Sequence, residues 1–216
     1  MEYDFDHHIK KELNTSGKLK ALAKFRETLR HFFYDSMPEM RLDLIRLCYM
    51  ACEFRQRLDY YYCDGITYFY RNLSALIDAV SYVYKENVLE LVSDDAKYAP
   101  SGDLRKVEDL MSHYRFKKNW RKFPMYLMLE HVEDPISFIE DFFRYKTKKE
   151  WKKALDELFD NAICRSSIME CNDIIDNPIK IFIYLARFMD CLFLIKIHIE
   201  RIKDEKDSQE AGKEKE

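Results

Sequence analysis

The sequence predicts an all-α protein, a helical bundle in a single domain. Apolar residues recur every three or four positions through most of the chain, for example across residues 66–84, which is the spacing of one helix face. No comparable run alternates strictly between apolar and polar residues, as a half-buried strand would. The 216 residues include only four glycines and five prolines, too few for the many tight turns of an all-β domain.

Helices are expected at residues 18–35, 38–62, 65–92, 103–119, 135–145, 147–163 and 177–204. Three of them have a proline at their start (Pro38, Pro135 and Pro178), and the last two prolines follow Asp134 and Asn177. A side-chain acceptor at the N-cap followed by proline favours helix initiation, because proline lacks an N–H that would otherwise have no partner. The domain is expected to span 1–204. The charged tail 205–216, almost devoid of apolar residues, is expected to be disordered.

The most apolar stretch of the chain is "IFIYLARFMDCLFLI", residues 181–195. It is shorter than a membrane span requires, and Arg187 and Asp190 interrupt it. Those two residues lie three apart, so they can pair along one helix. The stretch predicts a buried core helix, no contact with a membrane and a cytoplasmic protein. Because aromatics make up 15% of the residues, the core should consist largely of rings.

Six cysteines give no metal-binding pattern. Cys48 and Cys52 lie one helical turn apart, but no second close pair completes a four-ligand zinc spacing. Most of the cysteines lie within apolar helical patterns, which is typical of free buried thiols in a reducing compartment. We therefore expect no metal and no other cofactor.

Several residues of the first half recur in the second half at a slowly increasing offset. The offset is 110 at the Phe-Phe pair, 111 in the next helix and 112 in the third, where Leu73 and Asp78 are echoed by Leu185 and Asp190. The residues matched at the first two offsets are Phe32-Phe33 with Phe142-Phe143, and Leu44, Leu47 and Ala51 with Leu155, Leu158 and Ala162. This order favours a tandem duplication, with three-helix halves at 18–92 and 130–204 and a bridging helix within 93–129. The alternative is that any two amphipathic helices can be aligned on their apolar residues.

A Phe-Phe pair at a helix end, a following helix with spaced leucines and the stretch "YFYRNLSALIDAV" resemble segments of uncharacterised helical bacterial proteins. The resemblance covers residues 130–163 and 64–84. It implies a helical fold and carries no activity with it.

The stretch "RETLRH" contains Arg26 and His31 in an Arg-x4-His spacing. In spacing it resembles the active motif of HEPN ribonuclease domains. That resemblance implies RNA cleavage, with arginine stabilising the phosphorane charge and histidine moving a proton. Glu27 departs from the polar residue usual at that place, and its charge would oppose an RNA phosphate. The alternative interpretation is a solvated helix face.

The stretch "YRFKKNWRKF", residues 114–123, carries five cations among four aromatic residues. The cations are Arg115, Lys117, Lys118, Arg121 and Lys122. The formal net charge of the whole chain is −3, so nucleic-acid binding would require a local patch of this kind. On a helix, Arg115, Lys118 and Lys122 share one face, and the aromatic residues occupy another. The basic face predicts contacts to phosphates. The alternative is again a solvated face.

Asp78 and Asp190 lie near the apolar faces of their helices, at equivalent places if the repeat is real. Two carboxylates held close together can perform acid–base catalysis. The alternative is that each carboxylate has a structural partner, such as Arg187 for Asp190.

The sequence contains no glycine-rich phosphate loop, no HExxH motif and no nucleophile elbow. The prediction is therefore a non-enzymatic helical interaction module that binds a protein partner or forms a homodimer. Two alternatives stay open. They are nucleic-acid binding through the basic face of 115–122 and HEPN-like RNA cleavage by Arg26 and His31.

Overall fold

The computed structural model describes residues 5–34, 37–52, 60–89, 124–164 and 177–213. These residues form seven α-helices and no strand, so the all-α prediction is confirmed. The helices are α1 (Phe5–Phe32), α2 (Met37–Cys52), α3 (Tyr60–Lys85), α4 (Leu129–Glu133), α5 (Pro135–Tyr145), α6 (Lys148–Cys164) and α7 (Pro178–Lys213). The helix expected at 103–119 lies outside the described residues.

Two helix starts agree with the sequence prediction in their local chemistry. Asp134 Oδ1 accepts hydrogen bonds from the backbone N–H groups of Ile136 (3.1 Å) and Ser137 (3.3 Å), and Pro135 is the first residue of α5. At the start of α7, the Asn177 side chain accepts a bond of 2.9 Å from the N–H of Ile179. The side-chain oxygens thus satisfy N–H groups that have no partner within the helix.

Helix α3 ends at Lys85, seven residues before the predicted end. Asn87 adopts a left-handed conformation with φ of 51°, which stops the helix. Its N–H donates to the Tyr84 carbonyl (3.2 Å), and the N–H of Val88 donates to the Val83 carbonyl (2.9 Å). These two bonds form a Schellman motif with asparagine in the place usually taken by glycine.

Other helix boundaries also differ from the prediction. Helix α1 already includes Phe5, whereas its start was expected at 18, and α3 already includes Tyr60, whereas its start was expected at 65. The predicted end of α2 cannot be compared in full, because residues 53–59 lie outside the described residues. Helix α7 continues to Lys213, so residues 205–213 are helical where disorder was expected. That segment consists largely of lysine, glutamate, glutamine and alanine, which are strong helix formers even without an apolar face.

Helix α7 contributes a deeply buried segment to the core, in which every residue from 185 to 195 except Arg187 is buried. Phe142 of α5 is stacked between Trp151 (ring centroids 4.2 Å apart) and Phe188 (4.1 Å). The Trp151 indole N–H also donates to the Phe142 carbonyl at 2.9 Å. The predicted buried helix at 181–195 is observed. The expectation of a core made largely of rings is wrong, because nine of the 40 buried apolar residues described are aromatic and most of the others are aliphatic. None of the described helices is long and apolar enough to cross a bilayer.

A single hydrophobic core contains residues of both predicted halves. The central contact is between α2 and α6, and each of these helices also packs against the third helix of the other half, α7 and α3 respectively. The first helix of each half, α1 or α5, packs against the third helix of its own half. Short α4 lies against α5 and α7 and carries the chain into the second half.

Candidate interaction surface

Residues 124–128 precede α4 and form no helix, and we call them the anchored segment. Helix α7 holds this segment through the backbone N–H and the backbone carbonyl of Tyr126. The Tyr126 N–H donates to Asp190 Oδ2 at 2.9 Å, and the Tyr126 carbonyl accepts from Arg187 Nε at 3.0 Å. Asp190 and Arg187 lie one helical turn apart, on one face of α7. The Tyr126 ring also packs edge-to-face on Phe182, with ring centroids 5.7 Å apart.

Asp190 holds this segment from a fully buried position. Its Oδ1 accepts two hydrogen bonds from Arg41 of α2, at 2.6 Å from Nη2 and 3.1 Å from Nε. Burial raises the pKa of Asp190 above its ordinary value, and Arg41 and the Tyr126 N–H oppose that shift by favouring the ionised form. One carboxylate therefore connects α2, α7 and the anchored segment.

Arg187, which the sequence offered as one possible partner of Asp190, does not pair with it. Asp190 pairs with Arg41, which lies 149 residues away in the chain. Arg187 instead donates to the Tyr126 carbonyl. An arginine on the same helix face was visible in the sequence, whereas the packing of α2 on α7 was not.

The anchored segment and the first residue of α4 expose three large apolar side chains. The exposed fractions are 59% for Met125, 49% for Met128 and 43% for Leu129. Pro124 is buried, and Tyr126 and Leu127 are partly buried. The segment thus alternates between residues that fasten it to the core and residues that face outward. We call Met125, Met128 and Leu129 together the 125–129 surface.

Acidic residues follow the 125–129 surface along the chain, whereas the basic stretch 115–122 precedes it and lies outside the described residues. Residues 124–143 contain no lysine or arginine and five acids, Glu130, Glu133, Asp134, Glu140 and Asp141. The first three lie on or just after α4 and are exposed, with 72% of the Glu130 side chain accessible. Cations begin only at Arg144, whose Nη1 contacts Asp141 at 2.8 Å.

Asp78 and Asp190 do not form a catalytic pair. Asp78 is 41% exposed on α3, and its carboxylate contacts Lys152 Nζ at 2.6 Å and Lys148 Nζ at 3.3 Å. Each aspartate therefore has its own cationic partners, whereas a catalytic dyad requires two carboxylates that share a site. The structural alternative is the one observed, and only Asp190 is buried.

Arg26 and His31, the HEPN-like pair, both lie on α1. Five residues of a continuous helix separate two side chains by about 140° around its axis. Arg26 is partly buried, and its Nε has no hydrogen-bond partner. His31 is exposed, with its ring edge-to-face with Tyr68 at 6.3 Å. No described contact brings Arg26 and His31 to a common cleft, and HEPN-like cleavage stays a prediction without support from their geometry.

The basic stretch Arg115, Lys117, Lys118, Arg121 and Lys122 lies outside the described residues, and its role stays a prediction. Among the described cysteines, Cys48 and Cys191 are buried and free, and Cys52 is partly buried. Burial raises the pKa of Cys48 to about 12, which suppresses the reactive thiolate. Within the residues searched, no three His, Cys, Asp or Glu side chains form a group that could hold a metal ion.

One buried polar residue, His131 of α4, was missed by the sequence analysis. Its Nε2 lies 3.3 Å from Asp141 Oδ2, and its ring packs against Phe138 at 5.2 Å. The Nδ1 atom is buried without a hydrogen-bond partner. In a catalytic Asp–His pair, the second ring nitrogen forms a hydrogen bond with the nucleophile, and His131 Nδ1 has no such partner. A lone histidine between acids gave no signal by which the sequence could have revealed this contact.

No protein-family model, curated protein or solved structure matches this chain.

Proposed function

We propose that this chain is a non-enzymatic helical interaction module that binds a protein partner through the 125–129 surface. The observation that carries the proposal is an exposed apolar segment whose backbone is fastened to a buried ion pair. Asp190 and Arg187 hold both polar backbone groups of Tyr126, so Met125 and Met128 cannot turn inward without breaking those bonds.

Methionine suits a surface of this kind. Its unbranched, flexible side chain adapts to partners of different shape, and methionine is enriched in the cores of protein interfaces. Burying two half-exposed methionines and Leu129 against a partner would remove apolar surface from water, the main favourable term in protein association. A fastened backbone also lowers the entropy lost on binding.

The acidic residues that follow this surface indicate the chemistry of the partner. Glu130, Glu133 and Asp134 adjoin the 125–129 surface on its C-terminal side, and residues 124–143 contain no lysine or arginine. Arg121 and Lys122 precede the surface in the chain and lie outside the described residues. Complementary charge favours a partner with an apolar centre and a rim of lysine or arginine. The same acids repel phosphates, which argues for a protein partner over a nucleic acid at this surface.

Two synthetic helical peptides test this proposal. One has a leucine face and a lysine face, and the other has glutamate in place of every lysine. Fluorescence anisotropy should detect binding of the lysine peptide alone, with affinity that weakens as salt is added. A double variant, Met125→Ser with Met128→Ser, should lose about 2 kcal/mol, a factor of roughly 30 in Kd. The matched control is Leu19→Ser on α1, which removes an exposed leucine far along the chain and should leave Kd unchanged.

Four outcomes would contradict the proposal. Equal binding of both peptides would show that charge selects nothing, and an unchanged Kd in the double variant would place binding elsewhere. No binding of the lysine peptide would refute the stated partner chemistry. If sedimentation shows that the wild type self-associates and the double variant does not, the partner is a second copy of this chain, and the basic-rimmed partner is wrong.

A further inference from the structure

The internal repeat extends to polar residues that an alignment of apolar positions had no reason to match. Ser36-x-x-Glu39 before and within α2 corresponds to Thr147-x-x-Glu150 at α6, at the same offset of 111. Thr147 and Glu150 form a capping box, in which the Thr147 N–H and Oγ1 both donate to Glu150 Oε2 at 2.7 Å. Ser/Thr-x-x-Glu is the sequence signature of that motif.

Two ion pairs between the halves are related by the same offsets. Arg41 of α2 contacts Asp190 of α7 at 2.6 Å, and Lys152 of α6 contacts Asp78 of α3 at 2.6 Å. Lys152 lies 111 residues after Arg41, and Asp190 lies 112 residues after Asp78. Each pair joins the middle helix of one half to the third helix of the other. Exchanging the halves converts one pair into the other.

Several helix contacts change in the same way under that exchange. Contact of α2 with α7 becomes contact of α6 with α3, contact of α1 with α3 becomes contact of α5 with α7, and contact of α2 with α6 maps onto itself. The contacts of α2 with α3 and of α1 with α7 do not, because no α6–α7 or α5–α3 contact of similar extent is present among the described helices. Phe33 packs on Phe193 of α7 at 5.4 Å, and its counterpart Phe143 packs on Tyr84 of α3 at 5.5 Å. Both phenylalanines thus reach the third helix of the opposite half.

We infer that the chain is a tandem duplication of one three-helix unit, and that its halves meet about an approximate two-fold axis as a covalently joined dimer. The inner face of each half is then a surface that fits a second copy of the same unit. Amphipathic helices can always be aligned on their apolar residues. Such an alignment does not predict the two ion pairs, in which Asp190 binds Arg41 and Asp78 binds Lys152, the counterpart of Arg41. It also does not predict that these helix contacts exchange when the halves are exchanged.

The two copies differ where the anchored segment binds. The counterpart of Arg187 in the first half is Ala75, which cannot donate to a backbone carbonyl. Beside Asp78, Lys148 Nζ occupies a place comparable to that of the Tyr126 N–H beside Asp190. The second copy alone therefore carries both groups that hold Tyr126. This specialisation of one copy is independent of whether the 125–129 surface binds a protein.

Distances between spin labels in the intact protein test the two-fold arrangement. Leu42 and Lys153 are exposed counterparts on α2 and α6, and Tyr68 and Lys180 are exposed counterparts on α3 and α7. Labels carried on a ketone-bearing amino acid avoid the native cysteines. Double electron–electron resonance should give the same mean distance for 42/180 as for 153/68, and the same mean for 42/68 as for 153/180.

Means that differ by more than the widths of the distributions, in either comparison, would overturn the inference. Circular dichroism first establishes that each labelled protein is folded. If a label at one of these positions prevents folding, Arg30 of α1 and Glu140 of α5 replace the α2 and α6 positions. They are exposed counterparts at the offset of 110, and the same equalities must hold for 30/180 with 140/68.

Discussion

Replacing Asp190 by asparagine should lower the free energy of unfolding by about 3–5 kcal/mol, the cost of breaking a buried ion pair by removing one partner. The carboxylate is fully buried and accepts three hydrogen bonds, two from Arg41 and one from the Tyr126 N–H. Asparagine preserves the shape and one acceptor oxygen, but the buried guanidinium of Arg41 loses this counter-charge. For a chain of this length, the loss corresponds to a decrease in Tm of about 6–20 °C.

Equilibrium unfolding in urea, followed by circular dichroism and by tryptophan fluorescence, measures this loss directly. The matched control is Asp78→Asn, which breaks the corresponding ion pair in the other half. Because that pair is 41% exposed at Asp78, its loss should cost about 0–1 kcal/mol. If the two variants lose the same stability, or Asp190→Asn loses less than about 1 kcal/mol, the buried ion pair does not stabilise the fold as argued.

Three further expectations follow from the core and the surface. Trp151→Phe should cost about 2 kcal/mol in urea unfolding, because it removes the indole bond to the Phe142 carbonyl (2.9 Å) and leaves a small cavity; an unchanged midpoint would contradict this. Burial raises the pKa of Asp78, but its two lysine partners outweigh that effect and hold the pKa below 3.8. The ionised carboxylate therefore stabilises the fold above that pH, and the stability gap between wild type and Asp78→Asn should close as pH falls below it. Alkylation mapped by mass spectrometry should find Cys48 and Cys191 unreactive at neutral pH until urea is added, since burial raises the pKa of both thiols; rapid labelling of the native protein would refute their burial.

Local chemistry made much of the fold predictable. The N-caps at Asp134 and Asn177 each depend on a side chain and backbone N–H groups within three residues. The burial of the helix at 181–195 follows from an apolar surface that covers nearly all of its circumference. Both features can be inferred without knowing which helices pack together.

The partner of Asp190 could not be predicted, because tertiary packing decides it. In the sequence, Arg187 lies only three residues from Asp190 and is the obvious candidate. The actual partner, Arg41, comes close only when α2 packs against α7. The anchored segment was also missed, since its bonds to α7 use the backbone of Tyr126 and backbone groups are the same at every residue. Asn87 ends α3 in a conformation that most residues avoid, and asparagine in a polar stretch is a weak signal for it.

The exchange rate of the Tyr126 amide hydrogen tests the anchored segment most directly. This amide lies outside every described helix, so its protection depends on Asp190. We expect hydrogen–deuterium exchange at Tyr126 to be slowed as strongly as at buried amides of α7, and to approach the rate of an unstructured peptide in Asp190→Asn. Fast exchange of the Tyr126 amide in the folded wild-type protein would contradict a fastened segment and remove the basis of the proposed binding surface.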